Sequence, residues 1–164
     1  MSPATTALRP ASPPPPEALV LLREDHRALR EVFMRYRWLA GRGACSAERE
    51  PLAHRACTLV EMHASIGEDL VYPAAAPSGE ADEMVRMSDV DCGTWRKIIH
   101  LVRDTDPGEP RFDALVLALG DCVERRLAHE EAELFGRVRR APVDLGDLGR
   151  RIRLRHEAWM SLCC

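Results

Sequence analysis

His63 and Gly67 stand four residues apart in "HASIGEDLVYP" (63–73), and Arg126 and Glu130 stand four apart in "RLAHEEAELFG" (126–136). Residues at that spacing share one face of a helix. An imidazole with a carboxylate one turn away could grip a metal ion, and Gly67 denies His63 that partner. Arg126 and Glu130 instead make an ion pair. Two further stretches carry a donor at their second position: His26 in "DHRALR" (25–30) and Cys92 in "DCGTWR" (91–96). Imidazole, thiolate and carboxylate are the donor types of zinc and non-haem iron sites.

Four amphipathic segments must position these groups. Apolar residues recur at three- and four-residue spacing over about 17–40, from Pro51 to about Tyr72, over about 80–103 and over about 111–139. Along the inner stripes, His26 falls between Leu22 and Leu29, and His63 between Leu59 and Leu70. Cys92 follows Met84 and Ser88 and precedes Trp95 and Ile99. Arg126 and Glu130 lie between Cys122 and Leu134. Short loops make neighbouring helices antiparallel, so the pattern predicts an all-α, up-down-up-down four-helix bundle over 17–140. Residues 1–16 hold six of the twelve prolines and read as a disordered tail. Residues 141–164 read as a short, basic C-terminal helix and tail.

The bulk properties narrow the function. A chain of 164 residues suffices for one domain with a core. Its net charge of −3 argues against a general nucleic-acid binder. The sequence shows neither a membrane-length apolar run nor a signal peptide, so a cytoplasmic location is expected. The six cysteines contain no C-x-x-C pair and are read as reduced thiols.

The chain repeats itself. "DHRALR" aligns with "DCGTWR", and "HASIGEDLVYP" with "RLAHEEAELFG" at an offset of 63. Together the four segments resemble the hemerythrin family in its HHE cation-binding branch, over roughly residues 17 to 140. The "DH" of residues 25–26 and the "EE" of residues 130–131 carry the likeness. The resemblance implies a bundle with two non-haem irons that binds O2 or NO, or senses iron or redox state. It also implies a ligand set. His26 and His63 take the places of two family histidines, and Glu130 that of a bridging carboxylate. Cys92 and Arg126 replace the other two histidines, and Gly67 replaces the second bridging glutamate.

With one bridge and two histidines missing, a second cation should not stay. Arg126 would stand in for it, paired to Glu130 and filling the space Gly67 leaves, so that Gly67 and Arg126 form one compensated change. His26, His63 and Glu130, with Cys92 as a soft fourth donor, would hold a single iron or zinc. Two readings stand open. One is a metal-binding sensor or carrier responding to O2, NO, redox state or metal. The other is a metal-free bundle acting as an interaction module for an unknown protein partner, its histidines satisfied by Glu130. An enzyme ranks third, because no separate base or nucleophile is visible.

The remaining candidates have bland readings. His129 with Glu133, and His100, read as solvated helix edges rather than an accessory site, and His54 as surface. Cys57 and Cys122 read as core packing, and Cys163 and Cys164 as an exposed thiol tail. Arg150, Arg151, Arg153 and Arg155 read as the solvated side of a helix. Leu148, Ile152, Trp159 and Met160 would pack its other side on the bundle or on a second copy in a homodimer.

Overall fold

Arginine, glutamate, leucine and alanine dominate the long segments between the prolines, and among the described residues each of those long segments is mainly helical. The computed structural model describes residues 17–75 and 81–162. Residues 1–16, Cys163 and Cys164 lie outside the described residues, as do the side chains of Met84 and Ser88. Among the described residues there is no strand, and no helix is long and apolar enough to cross a membrane.

Helix α1, Ala18–Gly41, buries Leu19, Leu22, His26, Leu29, Val32, Tyr36 and Leu39. Phe33, four residues on from Leu29, is only partly buried and sits at the edge of this stripe, against Gly120. Gly43, at a φ of 70°, turns the chain in a conformation that favours glycine. Helix α2 starts at Ser46, earlier than Pro51, because Cys45 and Glu48 form a capping box. It runs Ser46–Ile66, continues through a π-helical turn, Gly67–Val71, and ends in Tyr72–Ala75. The sequence suggested a stop at Pro73. The π-turn carries the Tyr72 N–H back to the Gly67 carbonyl, and this wider spacing lets the helix pass a residue that has no N–H of its own.

Helix α3 is Ala81–Asp104. Helix α4 opens at Pro110, in the first turn where a missing N–H costs nothing, and runs to His129. It too passes through a π-turn, Glu130–Leu134, and finishes as Phe135–Arg140. Helix α5, Leu145–Leu162, starts where the Asp144 carboxylate accepts the N–H groups of Gly146 and Asp147.

Helix α1 packs on α2, α4 and α5, and α3 packs on α2 and α4. Two apolar clusters result. One gathers Leu19, Leu22, Ile66, Leu70, Phe135 and Ile152; the other gathers Leu29, Val60, Trp95, Ile99, Leu119 and Leu127. Each fully buried Leu, Ile or Phe contributes ~1.5–3 kcal/mol relative to exposure. Along α1, α2 and α4 the sequence passes from one cluster to the other at His26, His63 and Glu130. The buried polar groups therefore lie at the junction of the two clusters.

Candidate metal centre

The two π-turns begin at Gly67 and Glu130, separated by the same 63 residues that align the two sequence segments. A π-turn shifts a helix out of its α register and often marks a functional position. In α4 it lets consecutive carboxylates serve one histidine. Glu130 reaches His26 Nε2 at 3.1 Å, and Glu131 reaches its Nδ1 at 2.8 Å. Arg30 holds Glu131 in place through both oxygens, at 2.7 and 3.2 Å, and also binds Glu124.

Glu130 is the centre of the arrangement. Its Oε2 faces His26 Nε2 and, at 3.2 Å, His63 Nε2. Its Oε1 accepts from the Tyr72 hydroxyl at 2.5 Å and from Arg126 Nε at 3.0 Å. His26, His63, Arg126 and Glu130 are all buried. Burial by itself would favour a neutral Glu130. The charge on His63 and hydrogen bonds from His26, His63 and Tyr72 win instead, and hold the carboxyl well below its ordinary range. Burial likewise works against a charged His63, but the charge and hydrogen bond of Glu130 outweigh it and raise the imidazole above its usual value. The Tyr72 phenol is pushed up by burial and by the neighbouring carboxylate.

This donor set fits one metal ion. One nitrogen each from His26 and His63 and one oxygen of Glu130 lie within 4.8 Å of one another. Donors bound at ~2.0–2.2 Å to a common first-row ion are themselves ~3–3.5 Å apart, the scale of the contacts seen. Glu131 would fix the tautomer of His26, taking Nδ1–H and leaving Nε2 for the ion. His63 Nδ1 is buried with no hydrogen-bond partner among the described residues. The set does not fit a second ion. At the other oxygen of Glu130 stand Arg126 and Tyr72, both donors.

Two expectations need correction. Gly67 does not make room for Arg126. A β-carbon on Gly67 would lie 2.8 Å from one Tyr72 ring carbon, 3.0 Å from another and 3.1 Å from the hydroxyl. Tyr72 is what occupies the space, and Arg126 lies over its ring, 5.0 Å from the centroid. The reason is the π-turn, which brings the residue five positions on back over Gly67. Cys92 is buried but is not in the three-residue donor group; it belongs to the apolar cluster with Val60, Trp95 and Ile99. A thiol is tolerated among apolar neighbours, and α3 presents an apolar face there.

Tyr72 and Glu131 were missed as site residues. Tyr72 looked like the end of a helix, and only an i, i+5 spacing from Gly67 would have flagged it. His129 and Glu133 approach to 3.6 Å, while the exposed His100 faces Asp104 at 3.2 Å. Cys57 is buried, and burial pushes its thiol up to about 11. Cys122, expected in the core, is only partly buried and accepts from Arg125.

Because the Tyr72 ring is held by its bond to Glu130, it cannot easily retreat. Gly67→Ala is expected to lower stability by ~1–3 kcal/mol through overpacking, against the ~1 kcal/mol that alanine would add in an open helix. Urea denaturation measures the loss. A double-mutant cycle with Tyr72→Leu should show strong coupling between the two sites.

The family model for the hemerythrin HHE cation-binding domain matches residues 17–138. The chain belongs to this family. No curated protein and no solved structure matches it. Membership implies a cation-binding domain, and in this HHE domain the three converging donors are a possible cation site. Helix α5 lies outside the matched span, yet it packs on α1 and α2 and inserts Leu148 and Ile152 into the core.

Proposed function

We propose that this HHE domain is an up-down-up-down bundle holding one non-haem iron or zinc ion on His26, His63 and Glu130, and that it works as a sensor or carrier. The observation that carries the reading is the orientation of Glu130. Its Oε1 is occupied by Tyr72 and Arg126, so Oε2 is turned toward the two imidazoles. A bound ion would supply a Lewis-acidic centre that three protein donors leave short of a full coordination shell, so that a small ligand such as O2 or NO could bind it. The residues do the rest. Glu131 and Arg30 orient His26, Tyr72 and Arg126 orient Glu130, and the two apolar clusters exclude water.

Metal analysis tests this. Protein reconstituted with Fe(II) or Zn(II) under reducing conditions should retain close to one ion per chain, and His63→Ala should retain almost none. A second reading has its own support. Glu130 is satisfied by four neighbours without any metal, as a metal-free interaction module would require. Absence of metal after reconstitution would favour it.

A further inference from the structure

Resting on the one-ion reading above, we infer that helix α5 belongs to the metal centre: it positions Asp25 and the two histidine-bearing helices, so that its docking and ion binding strengthen each other.

Asp25 is only 8 % exposed, and a buried carboxylate needs a partner. That partner comes from α5, where His156 Nε2 donates to Asp25 Oδ2 at 3.0 Å. Asp25 directly precedes His26 in α1, and its negative charge favours a positive charge on the His63 imidazole. It therefore also favours a cation held between those two imidazoles. Without His156 the carboxylate would turn toward water, away from the centre.

The preceding residue of α5 holds the other histidine-bearing helix. Arg155 donates to Ser65 Oγ at 3.1 Å and to Asp69 Oδ2 at 2.8 Å. Ser65 follows closely on His63, and Asp69 lies in the π-turn beyond it. The Arg155–Asp69 bridge is well exposed and contributes little by itself. Leu148 and Ile152 do more, because they enter the same apolar cluster as Leu19 and Leu22 of α1 and Ile66 of α2. Helix α5 thus ties α1 to α2. The rings of His26 and His63 stand 5.1 Å apart between centroids, and an ion bound by one nitrogen from each gains from having that spacing fixed in advance. Helix α5 lies beyond residues 17–138, so membership of the family does not imply this support.

Coupling of this kind is reciprocal. The factor by which docked α5 tightens ion binding is the factor by which the ion tightens docking. Two measurements on the full chain test it. In Zn(II) titrations against a competing chelator, His156→Ala and Asp25→Asn should bind about tenfold more weakly than the parent, the scale of a lost supporting partner. His156→Gln, whose amide can still donate to Asp25, should stay near the parent. So should Arg150→Ala, since Arg150 pairs with Asp147 of its own helix. In amide hydrogen exchange, Zn(II) should slow α5 more than α3, which supplies none of the three donors, and His156→Ala should abolish the difference. The exchange measurement on the parent serves where a variant does not fold. Zinc affinities within about twofold of the parent for His156→Ala and Asp25→Asn, or α5 exchange that merely follows α3 when Zn(II) is added, would overturn the inference and leave the metal site standing. A parent that takes up no Zn(II) removes the metal reading as well, and the zinc content tells the two apart.

Discussion

Glu130→Ala should destabilise the metal-free protein by ~3–5 kcal/mol, the usual cost of breaking a buried ion pair by removing one partner. The expected loss is large because four groups depend on this carboxylate. Arg126 would remain buried without the carboxylate it meets at 3.0 Å. The Tyr72 hydroxyl and the facing nitrogens of His26 and His63 would lose the acceptor they share. Urea denaturation in the presence of a chelator measures the effect without contribution from metal. The double change Glu130→Leu with Arg126→Met should recover most of the loss, since apolar residues of similar volume can replace a buried pair at little cost. If Glu130→Ala unfolds at the same urea concentration as the parent, the carboxylate is not the hub that its contacts indicate.

Acidification is expected to release the ion well before it unfolds the chain. A ligand imidazole must be neutral, so protons compete with metal at His63, whose pKa the Glu130 carboxylate raises above the ordinary imidazole value of about 6.5. Below that raised value, apparent metal affinity should fall about tenfold for each unit of pH through this one group. Glu130, held well below 4.5, stays ionised over the same range and does not share in the loss.

Stability of the metal-free protein follows the signs of the same two shifts. His63 is raised, so its contribution is fully present below pH 6.5 and disappears as pH rises through its folded value. Glu130 is lowered, so its contribution is present above pH 4.5 and disappears as pH falls through its folded value. From these two groups the metal-free form is most stable between about 4.5 and 6.5. The metal-loaded form should gain its advantage above that window. Thermal unfolding with and without Zn(II) from pH 4 to 9 checks both, and a metal effect that grows toward acid would contradict the coordination by His63.

Much of the helical pattern was legible in the chain itself. Periodicity placed the inner stripes, and the stripes carried His26, His63, Arg126 and Glu130 to the buried side. The repeat was legible too, since its offset of 63 reappears between the π-turns. Helix ends were read less well. Pro51 and Pro73 suggested boundaries that the capping box at Cys45 and the π-turn at Gly67 displaced. Both devices are local hydrogen-bond geometries that apolar spacing does not report.

What the sequence by itself determined is the family and the helical class, because these are matters of residue type and spacing. Tertiary structure alone decided which groups meet. It set Tyr72 rather than Arg126 into the space at Gly67, placed Cys92 in an apolar cluster, and divided the two oxygens of Glu130 between a cation with its phenol and a pair of imidazoles. The physical reason is that a periodic stripe specifies only which way a side chain faces. Which oxygen takes which partner depends on how three helices and two widened turns set their distances across the core.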